Sequence, residues 1–143
     1  MPRSIVVMQN FRRLAVWHKA HSLLVRIHRH IKLFRREYSN IRSQLRRAAE
    51  SVPANIVEGC GRQSQKEFAN YLQNAISSAN EVEYELLQAR DYGLLAPHDW
   101  EALTADVIEI RRMLFGLVKK VRADILREEP SRIGRRAKQR RQQ

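Results

Sequence analysis

Basic side chains concentrated at the two ends of the chain are its most distinctive chemical feature. Residues 1–36 contain nine Lys and Arg and no Asp or Glu, and residues 130–143 contain six Lys and Arg and no acid. Residues 37–129 contain 12 basic and 15 acidic residues, so the net charge of +12 comes from the ends. Ammonium and guanidinium groups that are clustered in this way bind phosphates. The charge distribution therefore favours an acidic partner, which is more often nucleic acid than a membrane surface.

Three groups of basic residues are candidates for phosphate contacts. The first lies on the first predicted helix and comprises Lys19, Arg26, Arg29 and Lys32, followed by Arg35 and Arg36. The second comprises Arg42, Arg46 and Arg47 on the second helix and Arg62 beside the amides that open the third. The third lies near the C-terminus and comprises Arg135, Arg136, Lys138, Arg140 and Arg141. The backbone amides of a helix N-terminus and a guanidinium group can bind the same anion. Arg62, beside the start of the third helix, therefore predicts an anion site.

Two observations limit this interpretation. The acidic cluster of the third helix offers an alternative, in which Arg46 and Arg47 pair across the bundle with Glu81, Glu83 or Glu85. The aromatic content is 7%, and both tryptophans fall on apolar stripes, so no spaced set of exposed aromatic residues is predicted to stack on bases. We therefore expect phosphate contacts to dominate any nucleic-acid binding, with low sequence selectivity.

Catalytic and metal-binding patterns are weak. His18 and His21 lie one helical turn apart, but that helix has no acidic residue to complete a metal site, and no Asp or Glu is followed three positions later by His, as a di-iron site needs. Cys60 has no local histidine to activate it. Arg13 and His18 match the spacing used by small helical ribonucleases of the HEPN type, but so short a pattern arises readily by chance in a basic chain. We predict no catalytic residue, no metal and no cofactor.

Four segments of helical periodicity predict an all-α fold, an up-down-up-down antiparallel four-helix bundle. The helices are predicted over about 14–34, 40–58, 64–92 and 97–129, with Pro53 kinking the second or ending its first half and Pro130 ending the fourth. The apolar stripe of the first helix is taken as Leu14, Trp17, Leu24, Ile27, Ile31 and Phe34. The third helix is predicted to open with a capping box at Ser64–Glu67 and to be closed by Gly93 in a left-handed cap. Its apolar stripe, with spacings of three and four, consists of Phe68, Leu72, Ala75, Ala79, Val82, Leu86 and Ala89. Residues 1–10 are then an N-terminal extension, 11–129 the bundle domain, and 130–143 a mobile basic tail.

The fourth helix carries additional apolar residues beside its main stripe, which consists of Trp100, Leu103, Val107, Ile110, Leu114, Leu117 and Val121. The additional residues are Ile108, Phe115 and Val118. An apolar surface wider than one core requires predicts contact with another subunit. The alternative is that the three residues only widen the internal core, and the sequence leaves both open.

The second helix contains the motif that connects the chain with a known family. Residues 44–59 read QLRRAAESVPANIVEG, residues 11–20 before them read FRRLAVWHKA, and Ser64, Lys66, Glu67 and Phe68 follow Arg62. Over about residues 10–122 the chain resembles the bacterial four-helix-bundle family named after open reading frames in intervening sequences of 23S ribosomal RNA genes. It departs from that family at Phe34, which is followed by Arg35 where the family usually has Pro.

This resemblance implies a small helical subunit that assembles into a homopentamer. Related proteins are accessory subunits of diversity-generating retroelements, where a basic pentamer is thought to bind nucleic acid and a reverse transcriptase. The family offers no catalytic residue to carry over. Pro53, Asn55, Glu58 and Gly59 match its motif, and we interpret them as fold determinants, with Asn55 satisfying backbone groups opened by Pro53 and Glu58 pairing with Arg62.

Charge, fold and resemblance together predict a non-enzymatic, oligomeric, cytoplasmic protein that binds RNA or DNA through phosphates. The alternative is an interaction scaffold or accessory subunit for an acidic protein or a reverse-transcriptase-type partner, and a small helical ribonuclease ranks third. No apolar run approaches the roughly 18 residues that a membrane span requires.

Overall fold

The fold consists of α-helices connected by short turns. The computed structural model describes the backbone of residues 9–141 and the side chains of residues 9–128. A 3₁₀ turn at Phe11–Arg13 leads into α1 (Ala15–Ile31), and a second at Arg36–Tyr38 leads into α2 (Ser39–Cys60); α3 (Gln65–Asp91) and α4 (Pro97–Arg141) follow. The described residues contain no strand, which confirms the all-α prediction.

The four helices enclose one apolar core. Each helix packs against the next in sequence, and α1 also contacts α4, so the bundle closes on itself. Ser51 and Gly59 of α2 lie beside Ser78 and Phe68 of α3, as expected for antiparallel neighbours. Phe68 is the largest of the fully buried side chains.

The buried stripe of α1 differs from the predicted one. Its buried residues are Val16, Ala20, Leu23, Ile27 and Ile31. Trp17 and Leu24 are only half-buried and pack against the edge of this core. The predicted stripe omitted Val16, Ala20 and Leu23, which are all buried. The helix ends at Ile31 and not at Phe34, although Phe34 is buried beyond the end.

Pro53 lies within α2 without ending it. The helix runs unbroken from Ser39 to Cys60, so the prediction of a first half ending near Val52 is wrong. Proline removes the hydrogen bond from its own nitrogen to the carbonyl of Ala49. Asn55 was predicted to satisfy groups opened in this way, but its Nδ2 donates to the carbonyl oxygen of Ser51 at 2.8 Å and to Ser51 Oγ at 2.9 Å. The side chain therefore reinforces the turn that contains the proline and leaves the Ala49 carbonyl to other partners.

The start of α3 follows the capping pattern in the sequence. Ser64 has extended backbone dihedral angles, and its Oγ accepts a hydrogen bond from the backbone N–H of Glu67 at 3.1 Å. This bond satisfies one of the amides that a helix N-terminus leaves without an intrahelical partner. At the other end, Gly93 has a φ of 74°, the left-handed conformation predicted there.

Replacing the cap tests its contribution to stability. We expect Ser64→Ala to lower the free energy of unfolding by about 1 kcal/mol, because the amide of Glu67 loses its partner. Urea unfolding followed by circular dichroism at 222 nm measures the change. Ser77→Ala, at an exposed interior position of the same helix, is the control and is expected to be neutral or slightly stabilising. An equal effect of the two substitutions would contradict the capping role.

The fourth helix differs from the prediction at two places. Val118 is 3% exposed and belongs to the core stripe, so it is not part of an outward apolar surface; Leu117, placed in the stripe by the sequence, is half-buried. The helix also continues past Pro130 to Arg141, although it was predicted to end there. A proline removes one backbone hydrogen bond and can bend a helix without ending it. The basic side chains predicted to form the tail lie outside the described residues.

Candidate nucleic-acid interface

The basic residues of α1 divide into two groups with different surroundings. Arg26 forms an ion pair with Asp106 of α4. Lys19 approaches Glu109 of α4; the hydrogen bond from Arg112 lowers the pKa of Glu109, and the charge of Lys19 lowers it further. These two basic side chains therefore face acidic residues across the α1–α4 contact. The prediction that this helix presents only one sign of charge is correct for α1 alone, but α4 supplies the opposite charge.

The other group stays exposed. Arg29 and Lys32 are exposed near the end of α1, and Arg36 is exposed at the start of the following 3₁₀ turn. Within residues 9–128 none of the three takes part in an ion pair, whereas their neighbour Arg35 pairs with Glu37 at 3.3 Å. We call Arg29, Lys32 and Arg36 the basic edge. Their charges are available to an external anion because no carboxylate of the described chain holds them.

The arginines of α2 lie on two sides of the helix. Arg42 donates to the carbonyl oxygen of Phe34, while its Nε is buried without a hydrogen-bond partner among the described residues. Arg46 is exposed and forms no ion pair within the described part of the chain. Arg47 lines a polar groove between α2 and α3. Arg42 thus connects α2 with the end of α1, and Arg46 alone resembles the basic edge in its surroundings.

Arg62 is held by contacts within the protein. Its Nη2 donates to Glu58 Oε2 at 3.1 Å and to the hydroxyl of Tyr71 at 2.7 Å, and its guanidinium lies 4.7 Å from the centre of the Tyr71 ring. The predicted Glu58–Arg62 pair is therefore present. These contacts connect the end of α2 to the first turns of α3, so an anion at the α3 N-terminus would have to compete for the guanidinium with Glu58.

The polar groove between α2 and α3 contains a carboxylate with unusual surroundings. Gln44, Arg47 and Ser51 line one side, Glu81 and Glu85 the other, and its volume is about 310 Å³. Burial and the neighbouring charge of Glu81 raise the pKa of Glu85 to about 7, although Arg47 acts in the opposite direction. Glu85 Oε2 is buried and has no hydrogen-bond partner among the described residues.

The other acidic residue considered as a partner for the α2 arginines is held elsewhere. Glu83 pairs with Arg111 of α4, and the same guanidinium donates to Asn80 Oδ1 at 2.9 Å. Of the pairings left open by the sequence, the structure therefore places Arg47 near Glu81 and Glu85 and assigns Glu83 to α4.

The residues considered for catalysis and metal binding are not assembled into a site in the described part of the chain. The Nε2 atom of His18 lies 2.5 Å from the backbone oxygen of Arg12, and His21 stacks on Trp17 with the ring centres 5.0 Å apart. Cys60 is buried, and burial raises the pKa of its thiol, which lowers the thiolate fraction needed for nucleophilic attack. No group of three or more His, Cys, Asp or Glu within the described range is arranged to hold a metal ion.

Aromatic residues that are distant in sequence meet at the end of the bundle. Tyr38, in the turn before α2, and Tyr92, directly after α3, stack with ring centres 6.0 Å apart and an angle of 24° between planes. Arg35 lies 5.3 Å from the centre of the Tyr38 ring. We call Tyr38 and Tyr92 the tyrosine stack. Neither tyrosine falls in an apolar stripe, and no sequence signal connected them, because their contact depends on how the loops meet.

The outer surface of α4 presents apolar residues to solvent. Ile108 is 47% exposed and Phe115 is 53% exposed, which places two of the three residues predicted for a subunit contact on the surface. Phe115 and Leu126 also line a groove of about 460 Å³. The rest of its lining is formed by Val118, Lys119, Arg122 and Ala123. No helix of the described chain is both long enough and apolar enough to cross a membrane.

Comparisons with known proteins agree with the fold and the motif. A crystal structure of a protein of unknown function from the S23 ribosomal protein family, from Bacteroides thetaiotaomicron, is 30% identical in sequence with a TM-score of 0.68; the match covers 73% of this chain and 95% of that one. No functionally curated protein matches the chain. The family model described as 23S rRNA-intervening sequence protein matches residues 12–116. This match spans most of the bundle, including the α2 motif, and the chain belongs to the 23S rRNA-intervening sequence protein family.

Proposed function

We propose that this protein is a non-enzymatic, oligomeric bundle that binds RNA or DNA through contacts to phosphates. The observation that carries the proposal is the basic edge, because Arg29, Lys32 and Arg36 are exposed and unpaired within residues 9–128. Other arginines of the same surface, such as Arg26 and Arg35, have acidic partners. A phosphate can reach these three cations without first breaking an ion pair within the protein.

The remaining predicted contacts differ in how readily they could reach a phosphate. Arg46 is exposed and unpaired within residues 9–128. Lys19 and Arg47 are also exposed and form no ion pair there, but each lies near a glutamate. Arg26, Arg42 and Arg62 are bonded to groups of the protein itself. The C-terminal residues Arg135, Arg136, Lys138, Arg140 and Arg141 remain predictions, since they lie beyond the described side chains. The basic edge and Arg46 are therefore the first residues to test.

Salt dependence measures the number of phosphate contacts. We expect affinity for a short labelled RNA to fall as salt rises, with a slope of about −0.7 to −0.9 per phosphate contact in a plot of log K against log salt. Replacing Arg29, Lys32 and Arg36 together by alanine removes three such contacts and should make that slope shallower by about 2 to 3. Fluorescence anisotropy at five salt concentrations provides the measurement.

A charge-matched triple variant controls for the loss of net charge. Arg13, Lys66 and Lys120 are exposed and have no ion pair within residues 9–128, so their replacement by alanine lowers the net charge by the same amount. We expect this control to keep most of the salt slope. Equal slopes for both variants would assign binding to overall charge, and a wild-type affinity that does not change with salt would refute phosphate binding.

We propose that self-association occurs through the outer surface of α4. Ile108 and Phe115 are large apolar side chains, about half exposed, and Tyr84 of α3 is 61% exposed. Ile108 and Phe115 are seven residues apart and therefore lie on the same side of α4, and an apolar surface that forms a subunit contact would cover them. The resemblance described above implies five copies, which the proposal adopts as the expected state.

The mass in solution tests the assembly. We expect light scattering to give a multiple of the 16.8 kDa chain mass, with five as the expected number. Phe115→Glu places a charge in the contact and should produce monomers. Leu33→Glu is the control, because Leu33 is 77% exposed in the turn after α1 and lies outside the proposed surface. A wild-type protein that is monomeric at all concentrations, or a Phe115→Glu variant of unchanged mass, would contradict the proposal.

A further inference from the structure

The tyrosine stack is a composite surface feature formed by two distant parts of the chain. Tyr38 ends the 3₁₀ turn Arg36–Tyr38, and Tyr92 follows the last residue of α3. The rings lie nearly parallel at 6.0 Å. Offset stacking is favourable between aromatic rings in general. A third ring, supplied by a ligand, can therefore stack on a pair of tyrosines that the protein already holds together.

Tyr92 keeps a free aromatic surface. Its contact with Tyr38 occupies one face of the ring, yet the residue is 51% exposed. About half of the residue is therefore accessible to a ligand. Tyr38 is half-buried and has Arg35 beside its ring, which holds the inner member of the stack in place. The outer ring is positioned by the protein before any ligand arrives, which reduces the entropy lost on binding.

The charges around the stack are compatible with a phosphate backbone. Arg36, a member of the basic edge, lies two residues before Tyr38. The acidic neighbours of the two tyrosines are paired: Glu37 with Arg35 at 3.3 Å, and Asp91 with Arg90 at 2.9 Å. The unpaired charge next to the stack in the chain is thus that of Arg36, and Lys32 and Arg29 precede it in the sequence.

We infer that the tyrosine stack binds an unpaired nucleobase, while the basic edge holds the phosphates of the same strand. This inference rests on the proposed nucleic-acid binding and adds the class of ligand: single-stranded segments, loops or ends in preference to a continuous duplex. Bases within a duplex are already stacked on each other and cannot insert against Tyr92 without unpairing. Stacking on tyrosine accepts any base, so the preference concerns strandedness and not sequence.

Substitution of Tyr92 separates stacking from charge. We expect Tyr92→Leu to weaken binding of a single-stranded 12-nucleotide RNA by about tenfold, because one base–aromatic stack is lost. Binding of the same sequence as a duplex should change by less than twofold. Tyr92→Phe keeps the ring and should retain the affinity of the wild type. Since half of the side chain is exposed, both variants should fold, and circular dichroism checks this.

A fluorescent base provides an independent measurement. Fluorescence of 2-aminopurine falls when the base stacks, so an RNA carrying it should be quenched by the wild type and by Tyr92→Phe, but much less by Tyr92→Leu at saturating protein. Salt-dependent binding that Tyr92→Leu leaves unchanged would overturn the stacking inference and leave phosphate binding intact. A wild-type protein that binds neither single strand nor duplex at low salt would overturn both. Equal affinity of the wild type for single-stranded and duplex RNA would also overturn the inferred preference for single strands.

Discussion

Replacement of Gly59 by valine is expected to lower the free energy of unfolding by about 3 kcal/mol. A Cβ atom at this position would lie 3.0 Å from Cδ2 of Phe68 and 3.0 Å from Cβ of Tyr71. Phe68 is fully buried and cannot move aside without disturbing the core, and Tyr71 is held by Arg62. Valine would therefore push α2 away from α3 at the end of the motif.

Gly116 provides a matched control, because it is also a glycine within a helix. A Cβ atom there meets nothing within 4 Å among the described residues. Gly116→Ala should raise the free energy of unfolding by about 0.5–1 kcal/mol, since alanine restricts the unfolded backbone and favours the helix. Urea unfolding at one fixed protein concentration measures both variants. If both substitutions changed the free energy of unfolding in the same direction, the close approach at Gly59 would be contradicted.

Replacement of Glu85 by glutamine is expected to stabilise the protein above neutral pH. Burial and the charge of Glu81 raise the pKa of Glu85 to about 7, against the opposing effect of Arg47. The unfolded chain has the ordinary value near 4.5. Between these two values the folded state binds more protons than the unfolded state, so the contribution of Glu85 to stability falls as pH rises from about 4.5 to about 7.

The effect of the substitution should thus depend on pH. At pH 8 the wild type holds an ionised, partly buried carboxylate, which lowers the stability of the folded state. Glu85→Gln removes this charge and should raise the free energy of unfolding by about 1–2 kcal/mol, after allowance for screening by solvent. At pH 4 the carboxyl group is protonated in the folded state and mostly protonated in the unfolded state, so the variant should be close to the wild type in stability. Urea unfolding at both values gives the comparison, with Glu101→Gln on the exposed start of α4 as the control. An equal difference at pH 4 and pH 8 would show that the effect is steric.

The two variants address the groove and the motif separately. Gly59 and Tyr71 lie at the α2–α3 turn, whereas Glu85 and Arg47 lie in the polar groove near the other end of these helices. Their effects should therefore be close to additive in the double variant. Strong coupling would indicate that separation of the helices at the turn also opens the groove.

The sequence by itself determined the class of fold and most helix positions. The alternating steps of three and four from Phe68 to Ala89 correspond to residues that are all buried in α3. Ser64 and Pro97 begin helices as expected from local chemistry, because capping and the fixed φ of proline depend on near neighbours in the chain. The family was likewise evident from a continuous motif in α2. These features depend on near neighbours, so one sequence was sufficient to predict them.

Tertiary structure decided which charges and rings are available to a partner. Arg26 and Arg29 both carry one positive charge and are indistinguishable by composition, but Asp106 of α4 reaches only the first. The sequence predicted that Val118 and Phe115 belong to one apolar surface. Packing of the helices buries Val118 and leaves Phe115 exposed. Tyr38 and Tyr92 meet only because α2 begins and α3 ends at the same end of the bundle. Such contacts join residues that are far apart in the chain, and helical periodicity describes only the orientation of a residue around its own helix. The surface proposed to bind nucleic acid was therefore defined by the packing of neighbouring helices.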